Sequence, residues 1–395
     1  MNVLESKKNI LIIICLICFS MGLAWTVLPT ISNLIINNAQ INSQVTEYQY
    51  SIITFSLVCA GLLYSIIAGI FGQIKGLKKV LLSGVVFCSL SMFIYTISYF
   101  ISSQIFMLLL LGQFLLGIGI TSILTSLTAY LFILIPKATA MTLTGVFASI
   151  NLGSFSCPIF FNLINANRWG INSLIIAVFQ IILFLVAIKI IPNLVNPYVK
   201  SQKNKINLFK IKNFLFWSFF LIIILYSICE LTFTYWGIIY LHKDKNFSVN
   251  LSRYSLSFYW ASVGLSQISI CWLLKYIKPK YIYRSLPIFM ILGFWGMYNS
   301  NFLTSVILSF VIGGIGMSAF IAITMNYVEH DFKQIAEIAS GIMFMGYFLG
   351  YILGSLFIGQ IIRYINLSTI FLLMGFVSSL ILIYTFYLIK KSKKI

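Results

Sequence analysis

The chain has 395 residues, of which 60% are hydrophobic and only 8% are charged, and its mean hydropathy is +1.01. A soluble protein is excluded, because a water-exposed surface needs far more charged side chains than these. A membrane β-barrel is excluded by the long apolar runs, which lack the alternation of barrel strands. The sequence therefore predicts an all-α integral membrane protein, in which each helix satisfies its own backbone hydrogen bonds.

The net charge of +19 comes from 26 Lys and Arg against 7 Asp and Glu. Nearly all the basic residues fall on one side of the predicted membrane. The positive-inside rule makes that side cytoplasmic and places both termini there. We interpret the excess positive charge as a signal that sets the membrane topology and as a surface that contacts anionic membrane lipid. We expect no nucleic-acid partner. The abundance of Ile, Asn and Lys indicates an AT-rich bacterial genome, and therefore the cytoplasmic (inner) membrane of a bacterium. The basic residues on the other side are Arg168, Lys243, Lys245, Arg253 and Arg363.

The apolar runs predict about twelve transmembrane helices in two sets of six. The first set lies at about 9–36, 50–73, 80–100, 105–135, 138–164 and 171–191. A polar, lysine-rich stretch follows and predicts a cytoplasmic linker. The second set lies at about 214–241, 251–276, 285–298, 302–328, 335–362 and 367–389. The predicted organisation is an N-terminal half at 1–191, a linker at 192–213 and a C-terminal half at 214–395.

Glycines recur at nearly the same interval in the two sets, which indicates an internal repeat. Since both sets would then have the same topology, we expect two parallel six-helix repeats, the architecture common among transporters. The interval is 197 residues for three pairs and 196 for the fourth: Gly117 with Gly314, Gly119 with Gly316, Gly153 with Gly350, and Gly145 with Gly341.

Glu230 is the acidic residue that the sequence places at mid-membrane depth, within the stretch Tyr226–Tyr240. The other acids fall in predicted loops or at helix ends. A carboxylate at that depth costs roughly 3 kcal/mol or more to insert, and such residues are functional by default. We interpret Glu230 as a proton or substrate site. The alternative is a structural acid that hydrogen-bonds a neighbouring helix.

Polar and aromatic side chains at a similar predicted depth are candidates for substrate binding. Aromatic faces pack on ring-shaped solutes, whereas amides and hydroxyls recognise polar edges. Trp236 and Tyr240 have an alternative interpretation as residues of the interfacial aromatic belt. The substrate-binding candidates are Trp25, Gln113, Asn151, Tyr235, Trp236, Tyr259, Trp260 and Tyr347.

Fixed charges other than Glu230 are absent from the predicted pathway. Phosphorylated or multiply anionic substrates need Arg or Lys at the site, so a neutral or weakly charged small molecule is favoured. A cation paired with Glu230 is the alternative.

The seven cysteines lie in apolar runs, and Cys15-x-x-Cys18 has no second ligand pair nearby. We therefore expect no metal and no cofactor. An enzyme is not expected, because the sequence has no nucleophile–base pair and its polar groups are sparse.

The two six-helix halves and their basic middle loop resemble the major facilitator superfamily. That family carries a Gly-x-x-x-Asp-x-x-Gly-x-basic signature between its second and third helices. Here Gln73 stands in place of the acid, and Gln113 stands where the family's fourth helix has Arg. Gly153-x3-Cys157-Pro158 fits in part the Gly-x-x-x-Gly-Pro pattern of the fifth helix. The resemblance implies a gating loop formed by Gly69, Gln73, Gly76, Lys78 and Lys79.

The seventh helix is similar to that of the fucose-permease-like branch, which often carries Glu followed by Trp. Here the pattern is Tyr226-x3-Glu230-x5-Trp236-x3-Tyr240, although the first and fourth helices lack the acids of the branch's fucose transporters. The resemblance implies a monomeric secondary transporter that works by alternating access, with symport of protons through Glu230. A drug or metabolite efflux antiporter on the same fold is the alternative, because the fifth-helix pattern resembles that of antiporters.

Overall fold

The structure, a computed structural model, describes residues 3–36, 45–134, 139–192, 213–332 and 336–391. The chain divides into two compact units, Met1–Lys203 and Asn204–Ile395. Most of the predicted linker at 192–213 lies outside the described residues. The first unit contains α1 (Val3–Ile35), α2 (Glu47–Lys75), α3 (Leu77–Phe100), α4 (Ile105–Leu134), α5 (Thr139–Ile164) and α6 (Trp169–Ile190).

The second unit has the same plan with two of its helices interrupted. α7 and α8 form one continuous rod through a π-helical turn, Thr232–Trp236. α11 and α12 are separated at Ala319. Its helices are α7 (Phe214–Leu231), α8 (Gly237–Lys243), α9 (Val249–Leu273), α10 (Pro279–Asn299), α11 (Leu303–Ser318), α12 (Phe320–Asp331), α13 (Ala336–Ile361) and α14 (Leu367–Lys391).

With each interrupted pair counted once, the described residues form the twelve predicted helices in two sets of six. Nine of these spans are long and apolar enough to cross a membrane. The prediction of an all-α membrane protein is therefore confirmed. Two predicted helix starts are wrong by six residues: α1 begins at Val3 and not at about 9, and α10 begins at Pro279 and not at about 285, so Arg284 is helical. Proline fits the first turn of a helix, where its missing N–H has no intrahelical partner to lose.

Equivalent helices pack against each other in the two units. α1 packs on α5 and α3 packs on α6, just as α7 packs on α13 and α10 packs on α14. α4 lies against α2 and α3, and α11 lies in the same way against α9 and α10. The internal repeat read from the glycine spacing is thus a repeat of helix packing.

The paired glycines explain why the packing repeats. A Cβ added at Gly153 would collide with the backbone carbonyl of Phe19, so Gly153 lets α5 touch α1. A Cβ at Gly350 would collide with Ser227 of α7, which is the equivalent contact. Small residues permit such close approach of membrane helices. Gly145 differs, because nothing lies within 4 Å of its Cβ position.

Candidate functional site

Glu230 lies in α7 near the middle of the rod Phe214–Lys243, and its side chain is only 9% exposed. Tyr347 of α13 donates a hydrogen bond from its hydroxyl to Glu230 Oε2 at 2.9 Å. This contact depends on the close packing of α13 on α7 that Gly350 allows. The carboxyl group is therefore held by a neighbouring helix within the second unit.

More tyrosine hydroxyls surround this carboxyl group. Tyr226 precedes Glu230 by one helical turn. Tyr351 follows Tyr347 by one turn, and the ring centroids of Tyr347 and Tyr351 are 4.9 Å apart. Tyr226 and Tyr351 lie within interaction range of the carboxyl group, as does Tyr259 of α9. We call Glu230, Tyr226, Tyr259, Tyr347 and Tyr351 the Glu230 cluster.

The Glu230 cluster can accommodate either charge state of its carboxyl group. A phenolic hydroxyl donates to a carboxylate and accepts from a carboxylic acid. In the described part of the chain, the carboxyl group accepts its hydrogen bond from a hydroxyl and not from a cationic side chain. The buried hydroxyl of Tyr259 has no hydrogen-bond partner among the described residues. Such unsatisfied buried groups are costly, so they favour a bound polar ligand or water.

An aromatic wall adjoins the cluster. The rings of Phe233 and Tyr259 are stacked with centroids 5.5 Å apart, and Trp260 packs edge-on against Tyr259 at 5.3 Å. Trp260 Nε1 is buried and has no hydrogen-bond partner in the described ranges. Tyr235 and Trp236 are each 1% exposed. Burial of Trp236 does not fit the interfacial belt interpretation, since belt residues face the lipid headgroups.

The π-helical turn Thr232–Trp236 follows Glu230 almost directly. Thr234 Oγ1 donates to the backbone carbonyl of Glu230 at 2.9 Å. Single π turns inside α-helices are rare and occur frequently at functional sites. The sequence contains no signal for this turn, which includes Tyr235 and Trp236.

A second link joins the cluster to the break between α11 and α12. The hydroxyl of Tyr226 donates to the carbonyl of Met317 at 2.8 Å, in the last turn of α11. Carbonyls there lack intrahelical partners. The ring of Tyr226 also stacks on Phe320, the first residue of α12, with centroids 5.3 Å apart. Sequence reasoning missed this link, because the glycines before the break also occur at the paired positions of the unbroken helix α4.

The candidates of the first unit lie on α1, α4 and α5. Gln113 donates from Nε2 to the hydroxyl of Tyr95, and its Oε1 is buried without a partner among the described residues. Trp25 is half-buried, and its Nε1 likewise has no described partner. Asn151 is half-buried on α5, which packs on α1. The structure therefore places Gln113 on Tyr95, and not in a cluster like that of Glu230.

The predicted gating loop is the tight connection between α2 and α3. Gly76 has a φ of 89°, a left-handed conformation that glycine adopts without strain. Lys78 Nζ donates to the carbonyl of Ile188 at the end of α6 at 2.7 Å, whereas Lys79 is exposed. Gly69 and Gln73 belong to α2, but their contacts lie outside what the structure describes. Lys78 thus has a structural role in capping a helix C-terminus.

Two charged side chains fix the loop that follows α8. Asp244 Oδ2 accepts hydrogen bonds from the backbone N–H and the hydroxyl of Ser368, at 3.0 and 3.3 Å, and so caps α14. Lys245 Nζ donates to the carbonyl of Tyr298 at 2.9 Å. Partial burial lowers the pKa of the Lys245 ammonium group, and the charge of Asp244 opposes this shift.

Comparison with known proteins gives a family match and two similar structures. The model of the Major Facilitator Superfamily matches residues 10–298. The crystal structure of a mutant form of the nucleoside transporter NupG has 18% identity and a TM-score of 0.76, and the alignment covers 97% of this chain and 99% of that one. A bacterial homolog of the human lysosomal transporter Spinster, inward-facing and occupied, has 13% identity, a TM-score of 0.70 and 97% coverage of both chains. No curated protein matches the sequence.

Proposed function

The chain belongs to the Major Facilitator Superfamily of membrane transporters, and we propose that it is a secondary active transporter for a small, neutral or weakly charged solute. It works by alternating access, and Glu230 is its proton or substrate site. The protein acts as a monomer in the cytoplasmic membrane of a bacterium, with both termini in the cytoplasm. Its organisation is an N-terminal half at 1–191, a linker at 192–213 and a C-terminal half at 214–395.

The observation that carries this proposal is the Glu230 cluster. An acid at mid-span is costly to keep charged, and here a tyrosine hydroxyl is the hydrogen-bond partner of its carboxyl group. A purely structural acid at this depth would be expected to pair with a fixed cation, and the hydroxyls around Glu230 carry no charge. In a coupled transport cycle, such a carboxyl group binds a proton in one step and a solute in another. The proton and the solute then compete for one site or share it.

The aromatic wall beside the cluster supports a substrate with a flat or ring-shaped part. Tyr259 and Trp260 supply ring faces together with a hydroxyl and an indole N–H that have no partner in the described residues. Tyr235, Trp236 and Tyr347 complete this side of the proposed site. In the first unit, Trp25, Gln113 and Asn151 are the proposed contacts. The gating loop implied by the family signature remains a proposal for residues 69–79.

Nucleosides and sugars are the first substrates to examine. One structurally similar protein is a nucleoside transporter, and the seventh helix is similar to that of the fucose-permease-like branch. Both solutes are neutral, carry a ring and present several hydroxyls, which agrees with the absence of fixed charges other than Glu230 at the predicted depth. An organic cation is the alternative, since Glu230 could balance its charge.

The link from Tyr226 to the α11–α12 break gives a route for coupling. A change in the charge or occupancy of Glu230 alters the hydrogen bonding of Tyr226, whose hydroxyl binds the Met317 carbonyl. α12 begins three residues later with Phe320, which stacks on Tyr226. We therefore propose that α12 changes its angle to α11 as the site fills.

Thermal stabilisation of the purified protein tests the substrate class. A ligand that binds the folded state raises the apparent melting temperature by mass action. We expect a nucleoside or a sugar to raise it at a concentration where amino acids and hydrophobic cations do not. Stabilisation by hydrophobic cations alone would favour the efflux antiporter, and the direction of transport in vesicles of known orientation would then decide between the two.

A further inference from the structure

The packed helices α10 and α14 form an apolar seam with a basic end. On α10, Arg284, Ile288, Leu292 and Trp295 follow at intervals of three or four residues, and so share one helix face. Ile288, Leu292 and Trp295 are 45%, 50% and 39% exposed. On α14 the corresponding face holds Phe376, Leu380, Ile383 and Phe386. We call these eight residues the α10–α14 seam.

The two faces contact each other at both ends of the seam. The guanidinium carbon of Arg284 lies 4.8 Å from the ring centroid of Phe386, a cation–π contact. At the other end, the rings of Trp295 and Phe376 have centroids 6.2 Å apart. Between these contacts the seam is lined by aliphatic side chains that remain exposed.

Arg284 has capacity for a further partner. Its Nε is buried and has no hydrogen-bond partner in the described part of the chain. The guanidinium presents several donors in a planar arrangement that matches phosphate oxygens. More positive charge lies nearby along the same helix faces, since Lys280 precedes Arg284 by one turn and Lys390 follows Phe386 by one turn. A buried donor near the half-buried Lys280 and the exposed Lys390 favours an anionic ligand.

The length of the seam indicates what kind of anion fits. Trp295 lies eleven residues after Arg284, a rise of about 16 Å along an α-helix. The hydrocarbon core is about 30 Å thick, so this is close to the depth of one leaflet. An apolar surface of one leaflet's depth that ends in a cation cluster has the dimensions and the polarity of a single phospholipid.

We propose that the α10–α14 seam binds a phospholipid with an anionic headgroup. Its phosphate is held by the Arg284 guanidinium and by the ammonium groups of Lys280 and Lys390. One acyl chain lies along Ile288 and Leu292 and ends near Trp295. Basic pockets between membrane helices are known to take such headgroups. The proposal is independent of the substrate and of the role of Glu230.

A rival partner for Arg284 lies in the protein itself. Asp331 of α12 has a buried Oδ2 without a partner in the described residues, and Arg284 and Asp331 both lie within electrostatic reach of Tyr327. Arg284 could therefore pair with Asp331 in another conformation. Asp331→Asn separates the two ideas, because it removes that partner and leaves the seam intact.

Native mass spectrometry tests the proposal, with the full-length protein released from detergent micelles that contain phosphatidylglycerol or phosphatidylcholine with matched acyl chains. We expect the wild type to retain phosphatidylglycerol preferentially. Arg284→Gln should weaken this retention roughly fivefold, the effect of losing one cation near an anionic headgroup. Lys275→Gln, which removes an exposed cation at the end of α9, should leave it unchanged, and so should Asp331→Asn.

Three results would overturn the proposal: equal retention of the two lipids, an unchanged preference in Arg284→Gln, or an equal loss in Lys275→Gln. A dimer that disappears in Arg284→Gln would instead identify a second copy of the chain as the occupant of the seam. If Arg284→Gln does not fold, the double variant Lys280→Gln/Lys390→Gln provides the same test. Inorganic phosphate should not raise the melting temperature, because it lacks the acyl chain.

Discussion

At the scale of single residues, the chemistry of the Glu230 cluster depends on which groups surround the Glu230 carboxyl group. Tyr347 and Tyr351 are more than one hundred residues away from Glu230 in the sequence and reach it only because α13 packs on α7. Four tyrosines give the site hydroxyls that adapt to either charge state. The hydroxyls can therefore bond to the carboxyl group in either charge state, as the proposed role of Glu230 requires.

Replacement of Tyr347 by Phe tests the contact with Glu230. The variant removes the hydroxyl that lies 2.9 Å from Oε2 and keeps the ring. A hydrogen bond to a charged group contributes roughly 1.5–3 kcal/mol, so we expect transport to fall by about tenfold or more with the fold retained. Initial uptake rates in proteoliposomes measure this effect.

Tyr364→Phe is the matched control, because Tyr364 is 86% exposed and lies outside the cluster. We expect it to transport like the wild type. If the two variants transported equally well, the hydroxyl of Tyr347 would have no part in the cycle.

At the scale of helices, the sequence predicted the twelve spans because each is a long apolar run, and it predicted the repeat because glycine spacing is preserved. The π turn at Thr232–Trp236 and the break at Ala319 could not be predicted. Neither has a proline beside it. Gly314 and Gly316 precede the break at Ala319, but the paired glycines Gly117 and Gly119 lie in the unbroken helix α4, so the local sequence alone does not identify a break. The π turn and the break are determined by packing within the second unit, such as the stacking of Tyr226 on Phe320.

Two alanine substitutions in α5 test the packing role of the repeated glycines. Gly153→Ala places a Cβ against the Phe19 carbonyl, and neither backbone can move away without separating α1 from α5. We expect a clear loss of thermal stability, of the order of 1–3 kcal/mol for overpacking. Gly145→Ala is the control, because its Cβ enters open space and alanine is the better helix former.

The melting temperatures of both purified variants measure the difference. Gly145→Ala should melt at or above the wild-type temperature and Gly153→Ala below it. Equal melting temperatures would show that close approach of α1 and α5 at Gly153 does not stabilise the first unit.

A capping interaction can be tested in the same way. Asp244 caps α14 through Ser368, and loss of a helix N-cap costs about 1 kcal/mol. Asp244→Ala should therefore lower the melting temperature by a few degrees. His242→Ala, in the preceding turn, should have less effect, since its Nδ1 contacts only the local carbonyl of Phe247. The reverse order would mean that α14 is not stabilised by this cap.

At the scale of the whole molecule, the distribution of charge predicts how the chain lies in the membrane. In the predicted topology, most basic residues share one side with the two termini, and the loop at Asp244–Lys245 is expected on the other. The positive-inside rule then places the C-terminus in the cytoplasm. A C-terminal fusion to green fluorescent protein should fluoresce, and a fusion to a phosphatase that is active only outside the cytoplasm should be inactive. The opposite pair of results would invert the topology.

Substrate identity is the property that the sequence and the fold predict least. Members of one fold carry many different solutes, and specificity resides in a few side chains. Here the sequence could identify Glu230 from its depth, and aromatic candidates from their type. It could not predict that Gln113 binds Tyr95, because that contact depends on how α3 and α4 pack.

The most direct test of the central claim is uptake into proteoliposomes of the solute that stabilises the purified protein most, with and without an inward proton gradient. The wild type should accumulate the solute when the gradient is imposed. Glu230→Gln should lose this accumulation while remaining folded, and Glu47→Gln, the same change in the first turn of α2, should keep it. Gradient-driven accumulation by Glu230→Gln at the wild-type rate would contradict the account, because the buried acid would then be structural.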